Sequence, residues 1–142
     1  MSGTVTVLPS GLLALLNGAN ERPTPVTTSA NGAALFTRSG TTVTYTVTYQ
    51  GMASTPTGAH IHAPAGPAAT AGIVVDLGAQ SLTSNSGVLT GTFTAAAIRG
   101  ISGQPPIVLD SLMTLLRTGN AYVNVHSTTF PGGEIRGQTG AP

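Results

Sequence analysis

Cysteine is absent from this chain, and so is lysine. The first absence excludes a disulfide framework, thiol catalysis and thiolate metal ligands. The second leaves five arginines as all of the basic residues, against four carboxylates, for a net charge of +1. Charged residues are 6% of the chain, against roughly 25% in an average globular protein. Solubility must therefore come from Thr, Ser, Asn, Gln and Gly. There is no basic run, and aromatics are 4%. Nothing here neutralises a phosphate backbone, so a nucleic-acid partner is not expected. The longest apolar run, GLLALL at Gly11 to Leu16, falls far short of the ~20 residues that span a bilayer, so no transmembrane segment is expected. The opening MSGTVTV has no positive region and no cleavage site, and reads as no signal peptide.

What the chain does have is enough apolar residues, 40% of 142, for one domain over 1–142 with a real core. Val43, Tyr45, Val47 and Tyr49 alternate with threonines in TTVTYTVTYQG, which predicts a half-buried strand. ANGAALFTRSG precedes it as a second strand, with Ser39-Gly40 as the tight turn. Further strands are expected at Leu12–Leu16, Ala59–Ala63, Ile73–Leu77, Val88–Thr94, Tyr122–His126 and Glu134–Gln138. Gly and Pro breaks between them point to an all-β, mainly antiparallel fold. A Greek-key-like β-sandwich or β-barrel of about 7–8 strands fits best. One short α-helix is expected near 109–118. Leu109, Leu112, Met113 and Leu116 form its apolar face, Asp110 its cap and Gly119 its end. TAAAIRG can add a helical turn.

The chain's three histidines lie in two short stretches, GAHIHAPAGPAA and AYVNVHSTTFPGGEIRGQ. His60 and His62 are two apart, so on a strand both leave one face, roughly 7 Å apart at Cα. Ile61 between them points to the core. On AYVNVH the apolar Ala121, Val123 and Val125 claim the core, which sends Tyr122, Asn124 and His126 to the other face. If the following hairpin pairs His126 with Glu134, Asn124 faces Arg136 and Tyr122 faces Gln138. Neutral imidazoles so placed can hold a metal ion. The alternative is solvated surface histidines beside a surface ion pair.

Three segments, LLNGANERPTPV, GAHIHAPAGPAATAGIVVDL and LRTGNAYVNVHSTTFPGGEIRGQ, resemble in this order the CHRD domain, named after chordin and common in secreted bacterial proteins. The resemblance covers roughly Leu12 to Gln138, and AHIH and YVNVH…PGGEIRGQ are its specific parts. It implies an extracellular or periplasmic β-rich domain without a settled activity. His60, His62 and His126 match the family's histidines, and Gly133, Glu134, Arg136 and Gly137 match its GGEIRG. Adjacency of the two histidine strands is likewise implied only by the resemblance. Glu21 sits where the family has an E-V-P-P run, but ERPTP departs from it. AHIH is also similar to the H-V-H copper strand of copper-zinc superoxide dismutases. The bridging histidine, zinc ligands and disulfide are missing, so this likeness implies a copper-like geometry and not dismutase activity.

The expected function is a secreted metal-binding domain with ligands His60, His62 and His126. Copper is the first choice of ion and zinc the runner-up. Glu134, Arg136 and Asn124 are expected around the ligands, with Glu134 accepting a hydrogen bond from a ligating imidazole. Three ligands leave a position open to water or a small molecule, and so to redox chemistry. No acid–base residue names a reaction, so catalysis stays open, as does a homo-oligomer. The alternative is a non-catalytic adhesive, matrix or protein-binding module with no metal. No G-x-S-x-G elbow or paired carboxylates support a hydrolase.

Overall fold

The computed structural model describes residues 11–78, 82, 84–100 and 105–141. The opening segment read for a signal peptide lies outside them. Eight strands form one sheet. They are β1 Leu12–Asn17, β2 Asn31–Ser39, β3 Thr42–Gln50, β4 Pro56–His62, β5 Ile73–Gly78, β6 Gly87–Phe93, β7 Tyr122–Ser127 and β8 Ile135–Gly140. Their order is β5-β4-β7-β8-β1-β2-β3-β6, and every pairing is antiparallel. The two end strands approach each other: a Cβ on Gly78 of β5 would lie 2.8 Å from the Leu89 side chain of β6. Tyr45 of β3 also donates its hydroxyl to the Leu77 carbonyl of β5. The sheet is thus a nearly closed, Greek-key-like barrel, with one α-helix among the described residues, α1 Leu109–Arg117.

The period-two pattern is obeyed where it is cleanest. On β3, Val43, Tyr45, Val47 and Tyr49 are buried while Thr44 and Thr48 are exposed. On β1, Leu12, Ala14 and Leu16 enter the core and Leu15 stays 65% exposed. The β2–β3 turn sits one residue later than expected. Ser39 pairs with Thr42, so Gly40 and Thr41 make the turn, with Gly40 at φ +60°. That conformation costs a residue with Cβ more than it costs glycine.

The apolar stripe of α1 is buried as expected, and Gly119 follows its end at φ +78°. Asp110 is not the cap. The N-cap residue is Val108, whose side chain cannot bond the helix amides. Asp110 lies in the first turn, where a negative charge favours the helix dipole, and it pairs with Arg38 at 2.7 Å. Ala95–Ala97 forms a 3-10 turn where a helical turn was expected.

β7 is the strand that positions the site. Its inward Val123 and Val125 are fully buried, yet Tyr122 and Asn124 on the outward face are buried too. The segment from Ala65 to Ala71 reaches Tyr122, while His62 and Glu21 flank Asn124. Ala65 N–H donates to the Asn120 carbonyl, and the Ala71 N–H and carbonyl both meet the Tyr122 hydroxyl. Arg136 and Gln138 on β8 hold the same segment through its carbonyls at Ala65, Gly66 and Ala69.

Candidate metal centre

β4 and β7 are neighbours, with Gly58 opposite His126, His60 opposite Asn124 and His62 opposite Tyr122. This register puts all three histidines on one face of two adjacent strands. Gly58 leaves the space across from His126 free of a side chain. A Cβ there would already stand 3.4 Å from His60 Nε2. One ring nitrogen from each of His60, His62 and His126 falls within 4.8 Å of the others. Ligands around an ion at about 2.0–2.1 Å stand about 3.3 Å apart when tetrahedral and about 4.1 Å apart across it. Small side-chain rotations therefore close the set on one ion.

The hydrogen bonds fix which nitrogen of His126 and of His62 is free. His126 Nδ1 donates to the Pro131 carbonyl at 2.8 Å, so its Nε2 carries a lone pair. That nitrogen lies 3.0 Å from His60 Nδ1, which donates to it in the absence of an ion. His62 Nδ1 donates to the Ala71 carbonyl at 2.9 Å, which frees Nε2 on the side of Asn124. An imidazole held through one nitrogen by a carbonyl and free at the other is the usual form of a metal ligand.

Burial favours the neutral form of His60 and of His62. It lowers His60 to about 4, helped by the charge His126 would carry and opposed by Asp76. Burial also lowers His62, against the opposing bonds to Ala71 and Asn124. Neutral imidazole is the form that binds metals.

The expected outer residues divide. Asn124 is in the cluster, its Oδ1 at 2.8 Å from His62 Nε2. Arg136 does not touch a histidine. Its guanidinium lies 3.5 Å above the Tyr122 ring, and that ring stacks on His62 at 4.7 Å and 5°. Glu134 forms no bond to an imidazole, although it was expected to. Its carboxylate accepts from Thr28 Oγ1 and Ser127 Oγ, each at 2.7 Å, and from the Ala53 amide at 2.9 Å. Pairing of β7 with β8 begins at Val125 and Ile135, with Asn124 opposite Arg136 and Tyr122 opposite Gln138. Gly133, at φ +124°, turns the chain before that point, so Glu134 reaches Ser127 on the inward side instead of His126.

Two carboxylates went unassigned by the sequence. Asp76 on β5 stands across from His60, with Oδ1 3.9 Å from His60 Nε2 and Oδ2 3.5 Å from Arg99. A lone charge inside the apolar run GIVVDLG was the signal. Glu21 is buried beneath Gly133, where a Cβ would lie 2.5 Å from its Oε2 and 2.7 Å from Asn124 Nδ2. Burial raises its carboxyl to about 7 despite the nearby Arg136 charge and the Asn124 amide.

A family model described as CHRD domain matches residues 12–139. No curated protein matches the chain. No helix among the described residues is long and apolar enough to cross a membrane.

Proposed function

The chain belongs to the CHRD family, and we propose that it is a metal-binding member acting outside the cytoplasm, in an extracellular or periplasmic space. His60, His62 and His126 are the ligands in this reading, on one domain spanning 1–142. The observation that carries it is the convergence of three imidazole nitrogens within 4.8 Å, each drawn from a ring that burial or a backbone carbonyl holds in place. Copper is the proposed ion. Imidazole suits copper, zinc and nickel alike, but the affinity order for equal ligands places Cu(II) above Zn(II). Zinc is the runner-up. Three imidazoles leave a coordination position for a further oxygen donor or a small molecule.

Calorimetric titration of Cu(II) and Zn(II) into untagged protein tests the reading. One-to-one binding is expected, and it should be lost in His60→Ala, His62→Ala and His126→Ala alike. Retention in His126→Ala would reduce the site to a two-histidine surface chelate. No binding to wild type would leave the domain as an adhesive or protein-binding module.

A further inference from the structure

We propose that Asn124 Oδ1 is the fourth ligand of the ion held by His60, His62 and His126, an inference that rests on the metal-binding reading. The argument starts from a conflict of lone pairs. The Ala71 carbonyl can only accept, so His62 Nδ1 carries the ring proton and Nε2 of the neutral ring does not. The atom facing Nε2, at 2.8 Å, is an amide oxygen. Two acceptors that close, with no proton between them, repel each other. A cation bonded to both atoms, off the line that joins them, turns both lone pairs into ligands.

The orientation of the amide has its own cause. Asn124 Nδ2 meets the Glu21 carboxylate in the space that Gly133 leaves by having no Cβ. Glu21 Oε2 is buried and has no partner at good hydrogen-bond geometry. Turning the amide over would put its oxygen against that carboxylate once Glu21 is ionised. The strand register completes the case. Asn124 lies directly opposite His60 and two residues before His126 on the same face. The four side chains therefore occupy neighbouring positions of two strands, and no backbone rearrangement is needed to gather them.

An amide oxygen beside three imidazoles makes an N₃O set. Soft thiolate or thioether ligands select Cu(I), whereas nitrogen and oxygen sets suit Cu(II) and Zn(II). Asn124 thus takes the position that three imidazoles leave open and biases the site toward divalent ions.

The test uses Cu(II) as the probe, with calorimetry and electron paramagnetic resonance on wild type, Asn124→Leu and the double variant Glu21→Gln/Asn124→Asp. The double variant keeps an oxygen at the same reach, and its Glu21→Gln change spares the new carboxylate a facing one. Circular dichroism monitors folding. Loss of the ligand in Asn124→Leu should weaken binding at least about tenfold and alter the Cu(II) spectrum, since even a residue that only orients a ligand contributes about 10–100-fold. The double variant should bind at least as tightly as wild type. The inference is overturned if Asn124→Leu keeps the wild-type spectrum and affinity. It is equally overturned if the double variant binds as weakly as Asn124→Leu, because Asn124 would then serve His62 as a hydrogen-bond donor. In either case wild type still binds, which separates this failure from failure of the metal reading itself.

Discussion

His60 Nε2 and Asp76 Oδ1 lie 3.9 Å apart across the β4–β5 pair. This carboxylate, and not Glu134, is the one aimed at a ring of the cluster. When His60 gives Nδ1 to an ion, its proton must move to Nε2, the nitrogen that faces Asp76. A carboxylate accepting that proton in a hydrogen bond orients the ring and raises its basicity. Asp76→Asn is expected to weaken Cu(II) affinity about 10–100-fold without unfolding the protein. An unchanged dissociation constant would remove Asp76 from the site.

The pH profile of binding should be shallow. Three ordinary imidazoles, each near 6.5, would make affinity fall with the third power of proton concentration well below that pH. His60 is held near 4 and His62 is lowered as well. His60 therefore does not compete with the ion between about pH 5 and 6.5, and His62 competes less than an ordinary imidazole would. With His60 out of the competition, the logarithm of the Cu(II) association constant is expected to change by no more than about two per pH unit in that window. A slope near three would show that the cluster is solvated.

Glu21 gives stability its own pH dependence. Its carboxyl is raised from 4.5 to about 7 in the folded chain. The folded state then holds a proton that the unfolded state has lost, so stability falls as pH rises from 4.5 toward 7. At about 1.4 kcal/mol per pKa unit, the loss is about 3 kcal/mol. The lowered His60 acts in the opposite sense between about 6.5 and 4, where the unfolded chain takes up a proton that the folded ring refuses. Glu21→Gln removes only the first effect. Urea midpoints should show Glu21→Gln stabilised relative to wild type at pH 8 and near wild type at pH 4.5. Parallel midpoints at both values would exclude a raised carboxyl.

Arg136→Lys should open the cover over β7. One guanidinium nitrogen of Arg136 bonds Gly66, Ala69 and Gln138 while its plane lies on Tyr122. An ammonium cannot stack and bond in that geometry. The expected cost is about 2–3 kcal/mol, the scale of a hydrogen bond to a buried charged group. Limited proteolysis should then cut between Ala65 and Ala71. Resistance equal to wild type would mean that the segment is held by other contacts.

The faces of β4, β7 and β8 were legible in the sequence because period-two patterning assigns sides without tertiary knowledge. Tyr122 to Gln138 and Asn124 to Arg136 pair as that patterning requires. The pattern stops at Gly133. A single residue at φ +124° re-aimed Glu134, and strand alternation carries no sign of such a residue. The lone charge of Asp76 was visible in the sequence, but its role was not, for a different reason. Its role depends on β5 lying beside β4, and its apolar flanks advertised only a buried strand. Glu21 depends on a connection folding back under the β7–β8 turn, a long-range event that local spacing cannot encode.

His60 and His126 meet although 66 residues separate them in the chain. An unfolded chain holding His60 and His62 alone offers an ion two ligands, and closing a loop of that size to recruit the third costs entropy that a few contacts cannot offset. The ion in this reading is therefore a clasp that recognises the native connectivity. Its affinity becomes folding free energy: at a free concentration a hundred times its dissociation constant it adds about 2.7 kcal/mol. The melting temperature should climb with the logarithm of free Cu(II). A chain so poor in charge, with no covalent cross-link, would then gain in metal-rich surroundings a stability that it lacks in metal-poor ones.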